Sequence, residues 1–291
     1  MKDKFDIPNT SQIAERLRAL GVNDELCEKI SNRLDTVLEY EPRVGIFGKT
    51  GAGKSSLCNA LFGKDVCAIS DVEACTRNVQ EVVLQSSGKG IILIDVPGVG
   101  ESRERDSEYD KLYRKLMPEL DLVLWLIKAD DRALRSDEEF YKEVVRPHIQ
   151  QGKPLFVVLS QVDRMEPFRE WDETVHRPGP KQMENIEQKR RAVAGFLDLS
   201  LDQVVPVSAS ESYGLVDLVD KIVNALPKER RITFVREVVK ENVSRESMDK
   251  AKSGFLDFVV DTVKDVVGSV IKGAGSIVRS VSSFIGGFFG W

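Results

Sequence analysis

From residue 43 onward, short apolar runs alternate with stretches whose apolar residues recur every three or four positions. The runs are Val44–Phe47, Val79–Leu84, Ile91–Ile94, Leu122–Ile127, Leu155–Leu159 and Val204–Val207. Apart from Val79–Leu84, which carries Gln80 and Glu81, these runs lack charged residues and predict strands buried on both faces. Helical periodicity lies near residues 54–62, 107–117, 136–147, 186–198 and 214–226. The stretch "LQSSGKGII" between the second and third runs predicts a hairpin. Elsewhere strand and helix alternate. The pattern therefore predicts an α/β fold with a mostly parallel sheet and helices on both faces. Residues 171–186, "WDETVHRPGPKQMENI", carry Pro, Gly and charge without a period and read as a loop insertion.

Two segments flank this core. Residues 10–40 predict two helices, the first opening on the capping residues of "NTSQ" and stopping at Gly21. Pro227 closes the strand–helix region, so the expected divisions are 1–40, 41–227 and 228–291. Residues 228–252 are highly charged and read as a solvated linking helix. After them Phe255, Phe258, Val259, Val263, Val266, Val267 and Val270 make one apolar stripe, with Asp257, Asp261, Lys264 and Asp265 opposite. Gly273 and Gly275 interrupt the pattern, and it resumes with Ile277, Val281, Phe284, Phe288 and Trp291. Two short helices around a Gly break are expected. They can pack on the first two helices or on a second copy, or residues 254–291 can lie in a membrane interface. An RNA-binding KH loop needs G-x-x-G, and "GAG" at 273–275 is one residue short.

Composition narrows the chemistry. Charged residues make up 31% and hydrophobic residues 42% of 291, with a net charge of −5. This balance suits a globular chain and argues against general nucleic-acid binding. The four cysteines form no C-x-x-C pair and there are two histidines, so no structural zinc site is expected. The charged start "MKDKFDIPNT" has no apolar core segment, and no run of about 18 apolar residues exists. Together with thiols read as reduced, this makes the cytoplasm the expected location, with peripheral membrane contact through residues 254–291 left open.

"GKTGAGKS", residues 48–55, follows a predicted strand, precedes a helix and matches G-x-x-x-x-G-K-[ST]. Glycines allow backbone N–H groups to turn inward around phosphate, and the helix start adds its positive dipole end. Gly48, Gly51, Ala52, Gly53, Lys54, Ser55 and Ser56 are the expected phosphate contacts, with Lys54 on the outer phosphates and the Ser55 hydroxyl on Mg²⁺. In "IILIDVPGVG", Asp95 ends a strand and is the expected second carboxylate near Mg²⁺, and the Gly98 N–H can sense a γ-phosphate. Thr76 in "AISDVEACTRNV" is the expected switch threonine that ligates Mg²⁺ in the triphosphate state.

"LFVVLSQVDR" places Asp163 just beyond a strand, where a carboxylate accepts both N1–H and the 2-amino group of guanine. Adenine would leave that charge unpaired. Backbone N–H groups at Ser208 and Ala209 in "VVPVSAS" are the expected donors to guanine O6. "GKTGAGKS", "DVPG", "SQVD" and "SA" together resemble the Era/TrmE-type small GTPases. "LIKADDRALRSDEEFY" and "LSQVDRMEPFREWDE" resemble the YfjP-like subgroup. The resemblance covers residues 40–230 at least. It implies a Ras-like fold of six strands that binds GTP and GDP and hydrolyses GTP with Mg²⁺.

Three departures from that family pattern matter. Its base motif N-K-x-D reads Ser160-Gln161-Val162-Asp163 here. The Asn that ties loops is replaced by a shorter Ser, and the Lys stem over the base by uncharged Gln161. The water-orienting Gln after the D-x-x-G glycine is Val99, so turnover must draw on Glu101, Arg103, Glu104 or Arg105, on an activating partner or on a homodimer. The potassium-recruiting P-loop Asn of TrmE-type enzymes corresponds to Gly51. A ribosome- or RNA-linked assembly role and ATP use are the weaker alternatives.

Overall fold

In the computed structural model the apolar runs become β1 (Arg43–Gly48), β2 (Gln80–Gln85), β3 (Gly90–Asp95), β4 (Leu122–Lys128), β5 (Leu155–Ser160) and β6 (Val204–Val207) of one sheet, ordered β2-β3-β1-β4-β5-β6. The structure describes residues 8–63, 80–85, 90–95, 114–131, 138, 141–149, 152–268 and 274–289. The helices, in chain order, are α1 (Thr10–Ala19), α2 (Asp24–Leu38), α3 (Lys54–Phe62), α4 (Arg146–Ile149), α5 (Pro180–Leu197), α6 (Leu215–Ala225), α7 (Lys228–Glu237), α8 (Arg245–Val267) and α9 (Ala274–Phe289). They fall into two compact units. One holds Pro42–Leu226 with Val238–Ser244; the other gathers the chain up to Glu41, Pro227–Glu237 and the residues from Arg245 onward.

In the sheet unit β2 and β3 form the expected hairpin, Gln85 opposite Gly90, and the remaining neighbours run parallel. Every residue of Leu122–Ile127 and Leu155–Ser160 is buried, so both faces of β4 and β5 are covered. Uninterrupted apolar runs encode such strands because neither face has water to meet. Phe47, Trp125, Val157 and Leu159 join Ile186 and Val193 of α5 in one core cluster, with the Phe47 and Trp125 rings stacked at 6.1 Å. At about 1.5–3 kcal/mol per buried large apolar side chain, this cluster is a principal source of the unit's stability.

Two expectations change here. Residues 180–186 are not loop: Pro180 opens α5, and the Glu170 carboxylate accepts the backbone N–H groups of Lys181 (2.8 Å) and Gln182 (3.1 Å). Pro at the first helical position and a carboxylate at the helix start are both favourable. Where a helix is expected over 136–147, the described residues form a π-helical turn, Tyr141–Val145, followed by α4 to Ile149.

The second unit is helical. Asn9 and Gln12 cap α1 reciprocally, and the Asn23 side chain accepts the Leu26 N–H at 2.9 Å. The charged stretch 228–252 is not one solvated helix. It contains α7, whose Ile232, Thr233, Phe234 and Val235 are buried, and the start of α8. Between them, Val238–Ser244 belongs to the sheet unit. There the Val239 N–H donates to the Leu61 carbonyl at 2.7 Å, and the Asn242 side-chain amide donates to that of Ala60 at 2.8 Å.

The amphipathic stripe therefore starts earlier than its apolar residues announce. On α8, Phe255, Val259, Val263, Val266 and Val267 are buried, and α8 packs on α2, α7 and α9. On α9, Ile277, Val281 and Ile285 are buried, and α9 packs on α1 as well as on α8. Of the packings open to the tail, the one on the first two helices is present. Among the described residues no helix is long and apolar enough to cross a membrane.

Gly254 sets how closely α7 and α8 approach. A Cβ there would lie 2.6 Å from the Lys228 carbonyl oxygen. Gly254→Val is expected to destabilise the helical unit by about 1–3 kcal/mol, read as a lowered Tm in a thermal melt.

Candidate functional site

The parallel strands all end on one edge, and the predicted site residues follow those ends. β1 runs into residues 48–55, Asp95 ends β3 in register with Ile46, and Ser160 ends β5 opposite Lys128 and Val207. Strand order reverses about β1, and open α/β sheets bind ligands at the carboxyl ends of strands where the order reverses.

The loop from Gly48 to Gly53 is shaped by backbone sterics. A Cβ on Gly48 would sit 2.7 Å from the Leu126 carbonyl oxygen, so no larger residue fits between β1 and β4. Gly53 has φ 89 and caps the start of α3, a left-handed conformation that L-residues adopt only under strain. The Lys54 ammonium donates to the Gly48 carbonyl at 2.9 Å, which folds the side chain back over the loop. Ala52 is buried, Ser55 is half-buried and Ser56 exposed in the first turn of α3, where backbone N–H groups lack helical partners. Lys49 pairs with Asp131 at 3.3 Å. Lys189 donates to the Asp131 carbonyl, and burial pushes its ammonium below the ordinary lysine range.

Beyond β5 the chain turns sharply. Gln161 has φ 56 and ψ 40, and its side-chain amide donates to the Gly51 carbonyl at 2.8 Å while its oxygen accepts from Arg164 at 3.3 Å. The buried Ser160 hydroxyl lies 2.8 Å from the Ala52 carbonyl oxygen and 3.3 Å from that of Ile127, and donates its single proton to the nearer. The shorter Ser thus ties the two loops after all, and Gln161 adds a second tie. Replacing Ser160 by Ala would leave a buried carbonyl unsatisfied, about 1–2 kcal/mol. Ser160→Ala is expected to weaken nucleotide binding roughly tenfold, measured by calorimetry.

Asp163 is only 16% exposed, its Oδ2 is 3.9 Å from Arg164 Nε, and its buried Oδ1 has no hydrogen-bond partner. Such an oxygen costs about 1–3 kcal/mol unless a ligand supplies a donor. The Asp163 backbone carbonyl accepts from the fully buried Gln182 at 3.1 Å.

The Ser208 N–H differs from expectation. It donates to the Tyr213 carbonyl at 3.0 Å, and the Tyr213 N–H returns the bond, so the loop closes as a tight turn. Only the Ala209 amide then remains of the two expected O6 donors. At the tip of that turn, Glu211 Oε2 is 2.6 Å from His176 Nδ1 and accepts the Trp171 indole N–H at 3.3 Å. The His176 hydrogen bond holds the Glu211 carboxyl below its ordinary range.

Thr76 and Gly98 lie outside the described residues, and Asp95 is placed by its backbone alone. Sequence reasoning missed Trp171, His176, Gln182 and Glu211. Only the Gly179-Pro180 pair, a helix-start signal, could have shown that Gln182 belongs to a helix.

The sequence profile described as 50S ribosome-binding GTPase matches residues 43–161. The Escherichia coli (strain K12) proteins YfjP and YkfA, both described as uncharacterized, are each 38% identical over 271 residues, covering 90% of this chain and 92% of theirs. The GTPase Era of Aquifex aeolicus (strain VF5) is 28% identical over 192 residues, 64% of this chain and 56% of that one, a more distant likeness. With a phosphate-binding loop, an aspartate beyond β5 whose buried Oδ1 has no partner, and relatives that span nearly its whole length, the chain is a P-loop GTPase of the family to which YfjP and YkfA belong.

Proposed function

We propose that this GTPase is a slow, guanine-selective switch whose carboxyl-edge loops read the two ends of the nucleotide separately. The observation that carries this is the unpartnered Oδ1 of Asp163, held beside a side chain, Gln161, that already grips the phosphate-binding loop. Guanine supplies the missing donor through N1–H and pairs its 2-amino group with Oδ2. Adenine presents an acceptor at N1 and cannot. The Ala209 N–H donates to O6, and the methylene stem of Gln161 forms a wall against the base face.

At the other end, backbone N–H groups of residues 51–56 and the Lys54 ammonium bind the phosphates. Lys54 already lies over the loop on the Gly48 carbonyl and has further N–H donors for phosphate. The Ser55 hydroxyl and the Asp95 carboxylate are hard oxygen donors, the chemistry Mg²⁺ prefers. Mg²⁺, when bound, neutralises charge on the outer phosphates. We assign Thr76 as its second hydroxyl ligand in the triphosphate state and the Gly98 N–H as the γ-phosphate sensor. Val99 has no polar atom with which to orient water, so unaided turnover is slow, and an activating partner or a second copy completes the site.

Competition calorimetry tests the base reading: GTP and GDP are expected to bind at least about 100-fold more tightly than ATP. Equal affinity for ATP would end it. Turnover per molecule measured against protein concentration tests the need for a second copy. A rise with concentration identifies dimerisation, and a flat profile leaves the missing group to another partner or to Glu101, Arg103, Glu104 or Arg105 of the same chain. Burial of Val259, Val263 and Val281 within the helical unit supports a tail that stays on the protein, and liposome flotation of the full chain is expected to find it unbound.

A further inference from the structure

The segment from Glu170 to Gln182 has no role in the reaction so far, yet it touches both loops assigned to the base. At one end, the fully buried Gln182 donates its side-chain amide to the carbonyls of Asp163 (3.1 Å) and Met165 (2.8 Å). At the other, His176 and Trp171 converge on a single oxygen of Glu211, and the Trp171 ring meets Tyr213 edge-on at 5.6 Å. Glu211 and Tyr213 belong to the turn that carries Ala209.

The segment is itself braced. The Asp172 side chain accepts the N–H groups of Thr174 and Val175, Asp172 and Arg177 exchange backbone bonds, and the Glu170 carboxylate caps the first turn of α5. His176 is held at φ 52, a left-handed conformation that a non-glycine side chain adopts only when its surroundings enforce it. A braced segment that grips two loops through side chains fixes the distance between them.

We propose that Glu170–Gln182 is a specificity clasp: Gln182 on one side, and His176 with Trp171 on the other, hold Asp163 and the Ala209 amide at the separation of the two edges of guanine. These are positioning residues, not contacts to the nucleotide. The proposal rests on the assignment of Asp163 and Ala209 to the base, and it adds an element with no counterpart in the four nucleotide motifs. Loosening the Gln182 end should spoil the reading of the 2-amino group. Loosening the Glu211 end should weaken the O6 contact, which guanine and hypoxanthine share.

The test uses the full chain and calorimetric Kd values for GDP and inosine diphosphate, which lacks the 2-amino group. Asp163→Ala, Gln182→Leu, Glu211→Ala and Trp171→Phe are compared, each at a temperature where circular dichroism shows it folded. Gln182→Leu is expected to lower the preference for GDP over inosine diphosphate at least about threefold. Glu211→Ala should weaken both nucleotides about tenfold in step, and Trp171→Phe, which keeps the ring contact with Tyr213, about threefold. Should Glu211→Ala fail to fold, Trp171→Phe decides that end. A purely structural segment would lower the melting temperature yet leave the nucleotide ratio and the GDP affinity within twofold of wild type, and that result overturns the clasp. An unchanged ratio in Asp163→Ala would instead overturn the base assignment beneath it.

Discussion

Asp163→Asn is expected to move base preference from guanine to xanthine and to weaken GDP binding at least about 100-fold. The carboxylate is only 16% exposed and its Oδ1 has no protein partner, which leaves that oxygen for the donor a bound base would bring. A carboxamide keeps one acceptor for N1–H and turns the other position into a donor, which faces the 2-amino donor of guanine. Xanthine carries a carbonyl at that position and accepts the new bond. A hydrogen bond from a neutral donor to a charged group is worth about 1.5–3 kcal/mol, and losing one while setting two donors against each other reaches the roughly 2.7 kcal/mol of a 100-fold change. Calorimetric titration with GDP and xanthosine diphosphate checks it. Weakened GDP binding with no gain for xanthosine diphosphate would mean that Asp163 supports the loop and does not read the base.

Lys54→Ala is expected to abolish measurable binding of GTP and GDP at micromolar concentrations while leaving the fold intact. The ammonium rests on the Gly48 carbonyl at 2.9 Å, a contact worth about 1 kcal/mol and replaceable by water at this half-buried position. Against phosphate it makes charge-assisted bonds of about 1.5–3 kcal/mol each, with no other lysine in the loop turned toward the site: Lys49 is drawn to Asp131 at 3.3 Å. A Tm within a few degrees of wild type, together with at least a 100-fold rise in Kd, is the expected pair of results. An unchanged Kd would place the phosphates elsewhere.

Different parts of this site were legible to different degrees. The loop of residues 48–55 could be read outright, because its requirements are local: Gly48 leaves no room for a Cβ beside Leu126, and Gly53 must adopt a positive φ one residue before a helix begins. Strands β4 and β5 were equally plain, since burial on both faces leaves only apolar residues acceptable. Asp163 was singled out from its place just after a predicted strand, and it does follow β5.

That Ser160 is shorter than the Asn of the family pattern is legible in the sequence; what its hydroxyl reaches is not. The hydroxyl reaches Ala52 at 2.8 Å because the two loops lie close together. Nothing in "VSAS" announces that Tyr213 folds back to claim the Ser208 N–H. The clasp was hidden for the same reason: Glu211 lies 35 residues from His176 and 40 from Trp171, and no periodicity links them. In the tail, the spacing of Val259, Val263 and Val266 announced an apolar face without saying what would cover it. The charges of residues 228–231 concealed a helix with four consecutive buried residues, Ile232 to Val235.

Steric rules acting over a few consecutive residues sufficed for the phosphate loop, the buried strands and the placement of one carboxylate, because each is a demand the backbone makes on its own neighbours. Which side chains steady the base-reading loops, and what shields the apolar stripe of α8, followed only from packing. Those outcomes depend on which distant segments come to lie side by side, and their free energy resides in contacts that do not exist until the chain has folded.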